Sequence, residues 1–193
     1  MQQPDDDKPP RRSLAGALSE GPVLCAEGYL FECERRGYLQ AGAFVPEVVL
    51  EHPEVVAQLH RDFVHAGSDV VEAFTYYGHR EKLRVIGRED VLEPLNRQAL
   101  EIARQVAEDS GALFAGDISN TTIYSPDPAV EHQVRKMLSE QVAWAADAGV
   151  DYVIAETFSA DNEAVIACEV IKEAGLPAVV TFVPDFADEH RHE

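Results

Sequence analysis

The sequence predicts an α/β chain of about five parallel strands joined by helices. Three observations carry this. Short apolar runs without polar alternation recur, as in Tyr152-Val153-Ile154-Ala155, and suit strands covered on both faces. Apolar residues at helical spacing fill the intervals, as in Val91, Leu92, Leu95, Ala99, Ile102 and Val106. A repeated punctuation then closes each helix and opens the next strand. It reads Ala66-Gly67-Ser68-Asp69, Ala148-Gly149-Val150-Asp151 and Ala174-Gly175-Leu176-Pro177, and Ser110-Gly111 acts alike. Strand followed by helix, repeated, implies right-handed crossovers and a parallel sheet. An open doubly wound sheet and part of a barrel both satisfy this pattern.

In chain order, residues 1–20 read as a disordered or loosely packed tail. The Asp5-Asp6-Asp7 run and Pro9-Pro10 dominate its start. A single α/β domain follows over residues 21–184. Val23-Leu24-Cys25-Ala26 is a first strand, ending at Glu27-Gly28, and a helix over 29–36 is closed by Gly37. Pro46 suits a helix start, and Pro53 breaks or kinks the helical pattern over 46–66. Strands are expected at 70–75, 112–115, 152–155 and 178–183. Helices are expected at about 89–109, 130–145 and 164–171. Residues 185–193, with His190 and His192, read as an acidic tail.

The 193 residues carry 16 basic and 35 acidic side chains, a formal net charge of -19. That balance argues against nucleic acid and anionic membrane surfaces as partners. No apolar run reaches spanning length, and the start lacks the apolar core of a signal peptide. Cys25, Cys33 and Cys168 show no CxxC spacing. A cytoplasmic protein is expected. No GxGxxG and no phosphate-binding GxxxxGK[ST] occurs.

Glu156 follows an apolar run, where the carboxyl ends of parallel strands gather binding groups. The same carboxylate equally suits a helix cap. Asp117 and Asn120 stand on the same rim with the same two readings. Glu72 lies inside a strand and needs a partner if buried. On residue type alone, Phe44, Tyr76 and Tyr77 read as core aromatics. His52, His60 and His65 read as helix-surface residues, and His79 is an open candidate beside the tyrosine pair.

Several motifs then follow one another in order. They are Glu27-Gly28, Arg35-Arg36-Gly37-Tyr38, Gly42-Ala43-Phe44-Val45-Pro46-Glu47, Glu51-His52-Pro53-Glu54, Leu59-His60-Arg61-Asp62-Phe63, Phe74-Thr75-Tyr76-Tyr77 and Ala155-Glu156-Thr157-Phe158. Over residues 23–183 the chain closely resembles the homocysteine S-methyltransferase family, and its betaine–homocysteine methyltransferase branch in particular.

The resemblance implies a (β/α)8 TIM barrel, here partial and incomplete after about five strands. It implies transfer of a methyl group from betaine or a similar donor to the homocysteine thiol, giving methionine, with zinc activating that thiol. Glu156 matches the glutamate that holds the homocysteine amino group. Glu27 and Gly28 match the family's Asp-Gly element with one residue skipped. Phe44, Tyr76 and Tyr77 match aromatic positions of the methyl-donor pocket, where cation–π attraction suits a quaternary ammonium. Phe44 stands where that branch usually carries Trp, and Thr157 where it carries Tyr, which thins the cage. The family's zinc thiolates follow its sixth and eighth strands, and Cys25, Cys33 and Cys168 match none of them. Zinc is therefore expected of the family while its ligands are absent from this chain. Homocysteine and a methyl donor are the implied partners, and a homo-oligomer or partner chain would cover an open barrel edge. The competing reading is a non-catalytic truncated barrel that binds an amino acid or pairs with another chain.

Overall fold

The computed structural model describes residues 12–39, 42 and 44–183. The acidic segment 185–193, with His190 and His192, and residues 1–11 lie outside the described residues. Four strands, β1 (Val70–Glu72), β2 (Leu113–Ser119), β3 (Tyr152–Phe158) and β4 (Ala178–Phe182), form one sheet in the order β1-β2-β3-β4. Every neighbouring pair is parallel. Spatial order equals chain order, without the reversal that marks a doubly wound sheet, so the winding is that of part of a (β/α) barrel.

Four strands rather than five form the sheet. The run Val23–Ala26 contributes only one bridge, Cys25 to Val70. Side chains take over its ladder: Leu24 N donates to Asp69 Oδ2 at 2.9 Å and Ala26 N donates to Ser68 Oγ at 3.0 Å. The repeated turn explains this. Asp69 N also donates to Leu24 O at 2.8 Å. Asp151, in the matching place of the next such turn, does both again: its N donates to Phe114 O at 2.8 Å, and its Oδ2 accepts from Phe114 N at 2.8 Å. Each Asp thus clasps the start of the preceding strand, and Gly149 takes the left-handed φ of 78° that ends the helix before it.

Among the described residues, eight α-helices accompany the sheet. α1 (Leu14–Glu20) lies inside the stretch read as tail; Ser13 caps it and Ala17 is buried. α2 (Tyr29–Arg35) follows Gly28. α3 (Val48–Glu51) and α4 (Pro53–His65) are separated at His52, where Pro53 opens the second helix instead of kinking one. α5 (Arg80–Val85) is short and left no periodic trace in the sequence. α6 (Leu92–Ser110), α7 (Pro128–Ala148) and α8 (Asp161–Glu173) are the long crossovers.

The two faces of the sheet bury different sets. Val71, Phe114, Ile118, Val153, Ala155 and Phe158 pack in the core shared with α6, α7 and α8. Val70, Leu113, Ala115, Tyr152 and Ile154 cluster with Ala17 of α1 on the other, inward face. β4 is half-exposed, and Phe182 and Val183 are exposed at that edge. His60 is 0% exposed, against the surface position expected for it. Its face of α4 is covered by α2, with the Tyr29 ring 4.9 Å away. Burial pushes its imidazole down to about 3.

Gly116 marks the closest approach of helix to strand. A Cβ there would lie 2.9 Å from Ala145 Cβ of α7 and 3.4 Å from Val153 Cγ2. Gly116→Ala is expected to cost about 1–3 kcal/mol through overpacking, read as a lowered midpoint in urea unfolding. An unchanged midpoint would show that α7 is free to retreat.

Candidate functional site

Parallel pleating sends alternate residues to one side, so the inward row on each strand can be followed to its carboxyl end. On β1 it runs Val70, Glu72. On β2 it runs Leu113, Ala115, Asp117, and on β3 Tyr152, Ile154, Glu156. Three neighbouring strands therefore carry an acid at or near the carboxyl end of the inward row, with Ser119 one step beyond Asp117 on β2. One oxygen from each of Glu72, Asp117 and Glu156 lies within 4.8 Å of the others.

The acids floor a cavity of about 420 Å³. Every candidate residue lines it: Glu27, Gly28, Phe44, Tyr76, Tyr77, Glu156 and Thr157. Glu156 sits within β3 rather than after it, because the strand continues to Phe158. Apolar walls come from Tyr29, Leu30 and Phe74. Glu72 and Asp117, which sequence reasoning left outside its final set, line the cavity too. Their signal was an acid inside or directly after an apolar strand.

Three of the four non-glycine residues with positive φ border this cavity. They are Phe44 at 56°, Tyr77 at 56° and Thr157 at 61°. Such backbone is costly outside glycine and persists where surrounding contacts enforce it. At Thr157 those contacts are explicit. Asn120 Nδ2 donates to Thr157 O at 3.0 Å, and Thr157 N donates to Thr181 Oγ1 at 3.2 Å. The Tyr76 hydroxyl is 3.1 Å from Thr157 Oγ1. Tyr77 N donates to Ser119 Oγ at 3.2 Å, and the Tyr76 and Tyr77 rings lie 4.2 Å apart, centre to centre. Lys82 Nζ stands 3.8 Å from the Tyr77 ring centre, so an internal cation already holds one side of that ring. His79 caps α5 through Nδ1 instead of facing a ligand.

Burial dominates the electrostatics. It raises Glu156 to about 7, helped by the Glu27 charge, while a hydrogen bond with Asp117 pulls the other way. Burial, then the charges of Glu156 and Glu72, push Asp117 well above the usual carboxylate range. Burial, then Glu156 and Glu27, do the same to Glu72. Among the described residues, no Lys, Arg or His lines the cavity.

A zinc site of the thiolate kind does not fit these residues. Cys33 is buried in α2 and Cys168 lies on α8. Among the described residues, Cys25 is the only cysteine grouped with two further possible ligands, Glu27 and Glu72. Burial and the Glu72 charge raise its thiol, whereas a zinc-bound sulfur is a thiolate.

Parallel strands wound in one direction, with a lined cavity at their carboxyl ends, define a (β/α)-barrel ligand-binding unit. The chain belongs to the homocysteine S-methyltransferase family, whose model matches residues 28–192. It is 39% identical over 183 residues to betaine–homocysteine S-methyltransferase 1 of Sus scrofa, covering 92% of this chain and 66% of that protein. It is 38% identical over 172 residues to the S-methylmethionine–homocysteine S-methyltransferase BHMT2 of Pongo abelii, covering 89% of this chain and 46% of that one. The chain thus spans from under half to about two thirds of these relatives. The metallated homocysteine methyltransferase MmuM of Escherichia coli superposes with a TM-score of 0.75 over 91% of this chain and 67% of its own, at 20% identity. That likeness supports the fold alone.

Two outcomes follow from the site chemistry. Folded Glu156 keeps its proton to about pH 7, whereas an unfolded glutamate releases it near 4.5. The native state binds more protons in that window, so this group lowers stability as pH rises. The stability gain of Glu156→Gln over the parent chain is therefore expected to grow from pH 4.5 to 7 and level off above, measured by urea unfolding. A gap independent of pH would contradict the burial of Glu156. The purified chain is also expected to hold no stoichiometric zinc by emission spectroscopy, and one tightly held zinc per chain would reverse the donor-set argument.

Proposed function

We propose that the cavity holds homocysteine and that this chain serves methyl transfer from betaine or a similar onium donor to the homocysteine thiol, giving methionine. The convergence of Glu156, Glu27, Gly28, Phe44, Tyr76, Tyr77 and Thr157 on one cavity supports this reading. In the transfer, sulfur bonds to the methyl carbon, the donor's bond to that carbon breaks, and the thiol proton leaves.

Each group has a physical task. Glu156 accepts from the homocysteine ammonium. The acidic floor attracts that cation and repels the ligand's carboxylate and any sulfur anion, which orients the sulfur away from the floor and toward the aromatic side. Leu30 and Phe74 exclude water along the carbon chain. Phe44 and Tyr76, with the part of Tyr77 that Lys82 leaves free, attract an onium methyl group. The methyltransferase names carried by the pig and orangutan relatives favour catalysis over the non-catalytic alternative.

Two accessory readings belong here. Three unpaired cysteines suit a reducing compartment such as the cytoplasm, and no helix among the described residues is long and apolar enough to cross a membrane. The exposed β4 edge, with Phe182 and Val183, is where further chain or a second copy would pack.

Calorimetric titration of homocysteine into the chain tests the central claim. Binding is expected, and Glu156→Gln should weaken it at least ten-fold by removing the charge opposite the ammonium. Equal affinity in the variant would remove Glu156 from the site.

A further inference from the structure

The reading above leaves two buried acids without a task. Glu72 is 2% exposed and Asp117 is 4% exposed, and both line the cavity beside Glu156. Carboxyls gathered in a dry place weaken a fold unless a cation or a proton compensates them. Among the described residues, no side-chain cation lines this cavity. Glu72 accepts a long hydrogen bond from Cys25 Sγ at 3.4 Å, and Asp117 Oδ1 is buried with no hydrogen-bond partner. The floor therefore presents acceptor capacity that the protein itself does not use.

We propose that Glu72, Asp117 and Glu156 form a three-acceptor seat for an unsubstituted primary ammonium, in which Glu72 and Asp117 select against N-alkylated amines. This rests on the reading that an amino acid occupies the cavity. A primary ammonium projects three N–H bonds at tetrahedral angles. At a charge-assisted N···O distance of about 2.8 Å, its acceptors stand about 4.6 Å apart. One oxygen from each of the three acids lies within 4.8 Å of the others, a limit that admits this spacing. Each N–H then finds its own carboxyl. An N-methyl group would replace one N–H and press carbon against a carboxyl that is already short of partners.

The surroundings favour an organic cation over a metal ion. A hard divalent ion draws its oxygens in to roughly 2.0–2.6 Å and needs six or more of them, waters included. This floor offers three acids beneath walls of Tyr29, Leu30 and Phe74, which suit a carbon skeleton. Charge balance is met by protons. Glu72 and Asp117 keep theirs, and the ammonium replaces the proton that Glu156 holds, which passes to the buffer.

Calorimetry on the 193-residue chain tests this with homocysteine, N-methylhomocysteine and Mn²⁺ alone as probes. The parent chain is expected to prefer homocysteine to its N-methyl form at least ten-fold. Glu72→Met and Asp117→Leu, which remove the acceptor oxygens, should each weaken homocysteine binding and shrink that preference toward unity. The preference is a ratio within each variant, so it survives partial loss of folded protein, and circular dichroism confirms the fold. If both variants keep full affinity and preference while Glu156→Gln loses binding, the three-acid seat is overturned and the homocysteine reading stands. If the parent chain binds neither amine, the homocysteine reading falls and this inference with it. Stoichiometric Mn²⁺ binding that excludes homocysteine would make the floor a metal site and overturn the proposal.

Discussion

The cost of holding three carboxyls out of water governs this molecule. Glu72, Asp117 and Glu156 stand together as diagonal neighbours on adjacent parallel strands, for Glu72 pairs with Ala115, Asp117 with Ile154 and Glu156 with Ser119. Nothing in the local chain asks for them. An apolar residue at any of the three places would stabilise the barrel face that Val70, Ala115 and Ile154 continue below. The acids are therefore best understood as structure given up for binding, and the aromatic and apolar walls as what keeps their field strong. Water would screen them and blunt the attraction for a cation.

The clasp at the other end of the sheet is the counterpart of this constraint. Asp69 and Asp151 each hold the start of the strand before them with a backbone and a side-chain hydrogen bond. These acids accept from backbone N–H groups and fix the stagger of neighbouring strands. That stagger sets the heights at which the inward rows end. One end of the sheet uses carboxylates to position strands; the other receives the positioned carboxyls.

Much of this was legible in sequence, and the gaps have physical causes. The helix-closing glycines and the apolar runs marked the α/β alternation, and separate motifs marked Glu156 and the aromatic wall. Glu72 and Asp117 were visible as acids, but their facing was not. A strand buried on both sides has no polar alternation, so its sequence carries no record of which residues point inward. The strand at Cys25 was overcounted because Ser68 and Asp69 supply by side chain what a ladder would supply by backbone. α1 and α5 are too short for helical periodicity to stand out. His60 was placed on the surface because the helix that covers it lies far back in the chain, at Tyr29.

Thr157 carries one more meaning. The pairing of β3 with β4 slips between Ala155 and Phe158. Counted by twos from Ile154 and Glu156, Phe158 belongs to the inward row, yet it lies in the core shared with the outer helices. The irregular residue acts as a phase switch that turns the pleat over immediately after the last acid. With ordinary extended backbone at Thr157, the next residue, Phe158, would turn its ring toward the mouth and stopper the binding chamber. The left-handed backbone of this one strand residue thus keeps the chamber open.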